Sequence, residues 1–171
     1  MKIAVLSDSH DHLDNLQATL SAVAAEKAER MFFLGDFCAP FSLDAIGRGF
    51  SGPIDCVAGN NDGDPLHLFQ IAASHPHVTL HGQLAELDIA GRKIALNHYP
   101  DIAARLTESQ AYDAVFSGHD HKRYAHRTGR TLWANPGEIM GRYKVVSFGI
   151  YDTDENSFRH VIVGEGTADS G

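Results

Sequence analysis

Four consecutive apolar residues near the start of the chain, Ile3 to Leu6, are followed by apolar positions at helical spacing, Leu13, Leu16, Leu20 and Val23. An unbroken apolar run suits a strand buried on both faces, and the amphipathic segment after it suits a helix that covers one of them. That helix is predicted over 13–27, and the unit recurs: Met31–Leu34 and Ile54–Ala58 read as further strands, with a short helix over Leu43–Phe50 between them. A β-α-β-α-β order requires a parallel sheet with crossover helices. A third helix over Pro65–Ala73 opens with Asp64 as N-cap and Pro65 in its first turn. Strands then dominate. His77–His81, Leu84–Ala90 and Arg92–Asn97, with Gly82 and Gly91 between them, read as a meander of hairpins. A helix over Ile102–Gln110 precedes the apolar run Ala114–Phe116, and strands are predicted at Tyr124–Thr128, Thr131–Ala134, Lys144–Tyr151 and Ser157–Val163. So many strands exceed what one open parallel sheet with few helices holds. The expectation is an α/β fold of two mixed β-sheets packed together and flanked by helices, in one domain over residues 1–163 with a flexible tail over 164–171.

With 171 residues, 43% of them apolar, the chain can close its own core as one domain. No apolar run approaches the roughly 18 residues that span a bilayer, and Ile3–Leu6 is too short for a signal-peptide core, so a cytoplasmic protein without a membrane partner is expected. Cys38 and Cys56 lack metal or redox spacing and read as buried or half-buried thiols. Fourteen Lys and Arg against 22 Asp and Glu give a net charge of −8, which argues against duplex nucleic acid as a main partner. One segment departs from this. Residues 117–144 hold Lys122, Arg123, Arg127, Arg130, Arg142 and Lys144 against only Asp120 and Glu138, a net of +4. Such a cluster is either a solvated basic face or a rim that faces an anion.

Five times an apolar strand runs through one or two small residues into a metal-competent side chain. Ile3–Leu6 leads into Ser7-Asp8-Ser9-His10, Met31–Leu34 into Gly35-Asp36, and Ile54–Ala58 into Gly59-Asn60-Asn61-Asp62. Ile94–Leu96 leads into Asn97-His98, and Ala114–Phe116 into Ser117-Gly118-His119-Asp120-His121. Each piece has a plainer reading: Asp8 as a helix cap, the Gly-Asp and Asn-Asn-Asp steps as turns, His98 as a satisfied surface histidine. His119 and His121, as alternate residues leaving a strand, would point the same way. Carboxyl ends of adjacent strands open on one crevice in α/β folds, so the five can converge. Two aspartates, one asparagine oxygen and four imidazoles are too many for one tetrahedral zinc and suit two ions bridged by a carboxylate. No thiolate belongs to the set. Mixed carboxylate and imidazole ligation suits manganese, iron, cobalt or zinc, with geometry rather than raw affinity choosing among them.

In this order, Asp8-x-His10, Gly35-Asp36, Gly59-Asn60-x-Asp62, the lone His98 and Gly118-His119-x-His121 resemble the calcineurin-like metallophosphoesterase superfamily, and Asn135-Pro136-Gly137 resembles its small prokaryotic phosphodiesterase branch. The resemblance implies a four-layer sandwich. It implies one ion on Asp8, His10 and His121, a second on Asn60, His98 and His119, and Asp36 bridging them. A hydroxide shared by the two ions would attack the phosphorus of a small phosphodiester, with Asn61 and Asp62 as further catalytic candidates. Three departures from the family pattern stand out. Asn61 occupies the position where many members carry a histidine thought to assist the leaving group, and an amide cannot serve as a general acid near neutrality. Catalysis would then lean on substrates with good leaving groups, or on His12 or His67 if either reaches the site. Gly35-Asp36-Phe37-Cys38-Ala39 lacks the second aspartate of the longer motif, and Asp120 replaces a small hydroxyl residue, with its side chain expected on the strand face away from the metals. Phosphomonoester or nucleotide pyrophosphate hydrolysis is the alternative within the same class. A non-catalytic interaction module, in oligomers or with other partners, is the alternative from another class, because scaffold relatives with eroded metal sites exist.

Overall fold

The computed structural model describes residues 1–166. Eleven strands and four helices follow in the order β1 (Lys2–Leu6), α1 (Leu13–Ala25), β2 (Arg30–Phe33), α2 (Pro40–Gly49), β3 (Ile54–Cys56), α3 (Pro65–Ser74), β4 (Val78–Leu80), β5 (Leu84–Ile89), β6 (Arg92–Asn97), α4 (Pro100–Glu108), β7 (Ala114–Phe116), β8 (Arg123–Thr128), β9 (Thr131–Pro136), β10 (Val145–Asp152) and β11 (Ser157–Glu165). One sheet has the order β11-β10-β1-β2-β3-β4 and the other β5-β6-β7-β9-β8. In the first, β1 to β4 run parallel, and β10 closes antiparallel on β1. In the second, β6, β7 and β9 are parallel, with β5 and β8 antiparallel at the edges.

The period-2 geometry of a strand explains the layering. Along β1, Ala4 and Leu6 point to one face, where Leu16, Leu20 and Val23 of α1, Leu43 and Ile46 of α2 and Leu68 of α3 cover them. Ile3 and Val5 point to the other face and meet Ile94, Leu96, Phe116 and Leu132 of the second sheet. The outer face of that sheet buries Ala95 and Val115 against Ala103 of α4. The result is helix, sheet, sheet, helix, the four layers expected from the strand count.

Several local expectations shift. Val78–Leu80 does not form a hairpin with β5: it pairs in parallel with β3 in the first sheet, so the segment around Gly82 crosses between sheets. Of Gly82 and Gly91, the second alone closes a hairpin, between Ile89 and Arg92. Helix α2 starts three residues earlier than predicted because Pro40 occupies its first turn. Strand β11 continues to Glu165, with Gly164 opposite Val146, so these two residues of the expected tail belong to the sheet, and the rest of that expectation, residues 167–171, lies outside the described residues. Cys38 is half-buried and Cys56 buried, both free thiols. Among the described residues, no helix is long and apolar enough to cross a membrane.

Candidate metal centre

The carboxyl ends of β1, β2 and β3 in one sheet and of β6, β7 and β9 in the other open on the same rim of the sandwich, and each carries a polar side chain into it. Asp8, His10 and His121 form one group whose ligand atoms all lie within 4.8 Å of one another, and Asp36, His98 and His119 form a second on the same criterion. Asp36 lies between them. Its Oδ2 is 3.5 Å from His10 Nε2 in the first group and 3.4 Å from His98 Nε2 in the second. Asn60 Oδ1 is 3.1 Å from His98 Nε2, so Asn60 joins the second group. All seven residues expected at the site are therefore close together.

The backbone that delivers them is unusual. Asp8, His10, Asp36, His119 and His121 all have φ between +42° and +73°, a region that non-glycine residues seldom occupy. Such conformations cost energy and persist only where the surroundings over-determine them. His119 and His121 do not follow one another along a strand, since β7 stops at Phe116. In a left-handed turn the two rings diverge, one to each group, and Asp120 turns toward Asn135, whose Nδ2 donates to its Oδ1 at 2.8 Å. Close approach makes room for this turn: a Cβ on Gly118 would collide with Ser7 Oγ and lie 2.7 Å from Asp8 Oδ2. Gly59 has the same role opposite Asp36 Oδ1.

Hydrogen bonds fix the ring orientations. His98, fully buried, donates from Nδ1 to the Leu34 carbonyl at 2.7 Å, which leaves Nε2 facing the cluster. His121 Nδ1 lies 2.5 Å from Glu138 Oε2, so its Nε2 faces Asp8 Oδ1 at 3.4 Å. Glu138 is 1% exposed and was not anticipated as a site residue. Its signal in the sequence is faint: a lone carboxylate directly after Asn135-Pro136-Gly137. Asp62 accepts from the backbone N–H groups of Gly59, Asp36 and Cys38 at 2.7, 3.1 and 2.8 Å, so its carboxylate ties the β2 and β3 loops together and is not free for proton transfer. Asn61 does face the cluster, with its N and Nδ2 donating to the two Asp36 oxygens at 2.8 and 2.7 Å. His12 is the N-cap of α1, its Nδ1 accepting from Asn15 N, and Asp8 is not the cap. His67 lies beside Asp64 on the exposed start of α3.

The electrostatics favour a cation. Burial alone would raise the Asp36 carboxyl, but the hydrogen bonds from His98 and Asn61 hold it far below the usual carboxylate range. Burial would lower the His98 and His121 imidazoles, yet Asp36 beside the first and Glu138 beside the second, with Asp8 near both, raise them. Asp8 Oδ1 and His10 Nε2 are buried with no hydrogen-bond partner among the described residues. A buried acceptor left so costs about 1–3 kcal/mol, and more when it is charged. Two orphaned atoms 3.8 Å apart, flanked by imidazole nitrogens, fit divalent ions held by oxygen and nitrogen.

Comparison with known proteins agrees with the fold. Phosphodiesterase MJ0936 of Methanocaldococcus jannaschii is 28% identical over 166 residues, covering 95% of this chain and 99% of its own. The solved structure of an archaeal phosphodiesterase matches with a TM-score of 0.87 at 27% identity, over 95% of this chain and 99% of that one. The E. coli phosphoesterase YfcE, at 19% identity and a TM-score of 0.69 over 96% of this chain and 100% of its own, shares the fold. So does Zn²⁺-complexed Vps29 of Entamoeba histolytica, at 17% and 0.65 over 96% and 100%. The calcineurin-like phosphoesterase superfamily domain matches residues 1–156, and the chain belongs to that superfamily.

Proposed function

We propose that this chain is a metal-dependent phosphodiesterase acting on a small phosphodiester. The observation that carries the reading is the meeting of two ligand groups about Asp36, with Asp8 Oδ1 and His10 Nε2 buried and unpartnered. Asp8, His10 and His121 would hold one ion, Asn60, His98 and His119 the other, and Asp36 both. Manganese is the ion we take first, with iron, zinc, cobalt and nickel as alternatives that the same ligand types also suit. When bound, such ions acidify water into a nucleophile and offset negative charge on phosphoryl oxygens.

The chain's own residues prepare the site for this. The Leu34 carbonyl and Glu138 each take the Nδ1 side of an imidazole, so His98 and His121 present a fixed Nε2. Asp62 holds the loops of Asp36 and Asn60 at a constant separation. Asn61 offers a neutral N–H donor at the reacting end but no proton to release, and neither His12 nor His67 replaces it. The reading therefore carries a preference for esters whose leaving oxygen departs without protonation.

Hydrolysis of bis(p-nitrophenyl) phosphate with Mn²⁺ tests the proposal. Asp36→Ala and His98→Ala should each lower kcat/KM by about a hundredfold or more, the upper range seen when even indirect supports of a metal are removed. Undiminished activity in either variant would sink the assignment. A parallel p-nitrophenyl phosphate assay separates diester from monoester preference, and metal content by mass spectrometry separates an enzyme from an interaction module, which would bind less than one ion per chain.

A further inference from the structure

Beside the first ligand group lies a cleft of about 360 Å³ that the proposed reaction does not use. His121 is the wall it shares with the candidate centre, and Lys122, Arg123, Tyr143, Val145 and Ser147 line the rest. Tyr143 is 63% exposed, an uncommon position for a large aromatic side chain. Its ring is nonetheless held in place: the His121 ring meets it edge-on at 5.7 Å, the Arg142 guanidinium lies 5.8 Å from its centroid, and its backbone N donates to Glu138 Oε1 at 2.5 Å. Glu138, the one carboxylate of the lining, is taken up by that N–H and by His121. Lys122 and Arg123 have no carboxylate partner among the described residues. The +4 segment thus divides in the fold. Arg127 and Arg130 lie at the far end of β8, bonded to the Asn156 carbonyl and 3.9 Å from Asp113, while Lys122 and Arg123 line this cleft and Arg142 lies against its Tyr143.

Resting on the phosphodiesterase reading, we infer that the cleft receives the second substituent of the phosphodiester, and that this substituent is a nucleoside, its base stacked on Tyr143 and the phosphate to which it is esterified facing Lys122 and Arg123 from the His121 wall. A pinned aromatic face beside unpaired cations is the combination that binds a nucleotide without reading its sequence. An aliphatic diester would leave the ring without a partner. The cleft's volume lies at the lower end of the range for small-molecule sites, matched to one nucleotide rather than an oligomer.

Calorimetric titration of the Mn²⁺-loaded protein with thymidine 5′-phosphate and, separately, with methyl phosphate tests the subsite without requiring turnover. The nucleotide should bind about tenfold tighter or more, the scale of one base–aromatic stack. Tyr143→Ala should abolish that preference, and Tyr143→Phe should keep it. Equal affinity for the two ligands, or a preference that survives Tyr143→Ala together with Lys122→Ala and Arg123→Ala, would overturn the inference. The diester arm keeps the two readings apart: thymidine 5′-(p-nitrophenyl phosphate) and methyl p-nitrophenyl phosphate share a leaving group. Hydrolysis of both at equal kcat/KM removes the nucleoside subsite and leaves the phosphodiesterase standing. A nucleotide preference in binding with hydrolysis of neither ester upholds the subsite and removes the phosphodiesterase.

Discussion

At the scale of single residues, the supports of the candidate centre are as telling as its ligands. Glu138 belongs to neither ligand group, yet through His121 Nδ1 it decides which nitrogen of that ring faces Asp8. Replacing it by glutamine keeps the shape and removes the charge behind the imidazole. Metal affinity should fall about tenfold, the size found for outer partners of ligating histidines, with the fold intact by circular dichroism. An unchanged dissociation constant for Mn²⁺ would assign Glu138 to packing alone. Gly118→Ala should act more bluntly, because its methyl group would enter the space of Ser7 and Asp8 at once. A loss of about 1–3 kcal/mol in unfolding free energy is expected from overpacking of this kind, measurable by urea titration. The ligand set was legible in the sequence since each member follows directly on an apolar strand. Glu138 and the left-handed φ values of Asp8, His10 and Asp36 were not, because nothing in a residue's identity records which neighbour will hold it in a strained conformation.

At the scale of elements, one buried polar cluster ties the parallel sheet together away from the candidate centre. Asp55 on β3 receives a hydrogen bond from Arg30 of β2 at 2.7 Å and lies 2.8 Å from His81 Nε2, just past β4. Burial would raise its carboxyl, but His81 and Arg30 hold it below the usual value. A carboxyl depressed in the folded state adds stability that is fully present above its unfolded pKa of about 3.9 and is lost as pH falls through the folded value. Asp55→Asn should therefore cost about 3 kcal/mol near neutrality, the lower range for removing one partner of a buried pair. The gap between variant and wild type should close below about pH 4 in acid-unfolding curves. A constant gap down to pH 2 would show that the pair's charge is irrelevant. The same region explains what the sequence hid about β4. Three residues joined to β5 by a glycine look like half of a hairpin, and only the α3 crossover packed on the helical side places Val78–Leu80 parallel to β3.

For the whole molecule, the candidate ligands come from loops of both sheets, so any ion they bind joins the two halves of the sandwich. An ion present at a thousand times its dissociation constant adds about 4 kcal/mol of stability, which for a chain of this size moves the midpoint by about 10 °C. Scanning calorimetry with Mn²⁺ and then with excess EDTA should show that difference, and coincident transitions would speak against binding to the native state. The pairing of β1 with β10 has a bearing on synthesis. Lys2 lies opposite Asp152 and Val5 opposite Gly149, so the strand that delivers Asp8 and His10 lacks its second neighbour until β10 has been made. A chain grown only as far as Lys144 would hold every candidate ligand, with β1 paired to β2 but open along the edge that β10 covers. The candidate centre would then gain its last support from a strand that supplies none of its ligands.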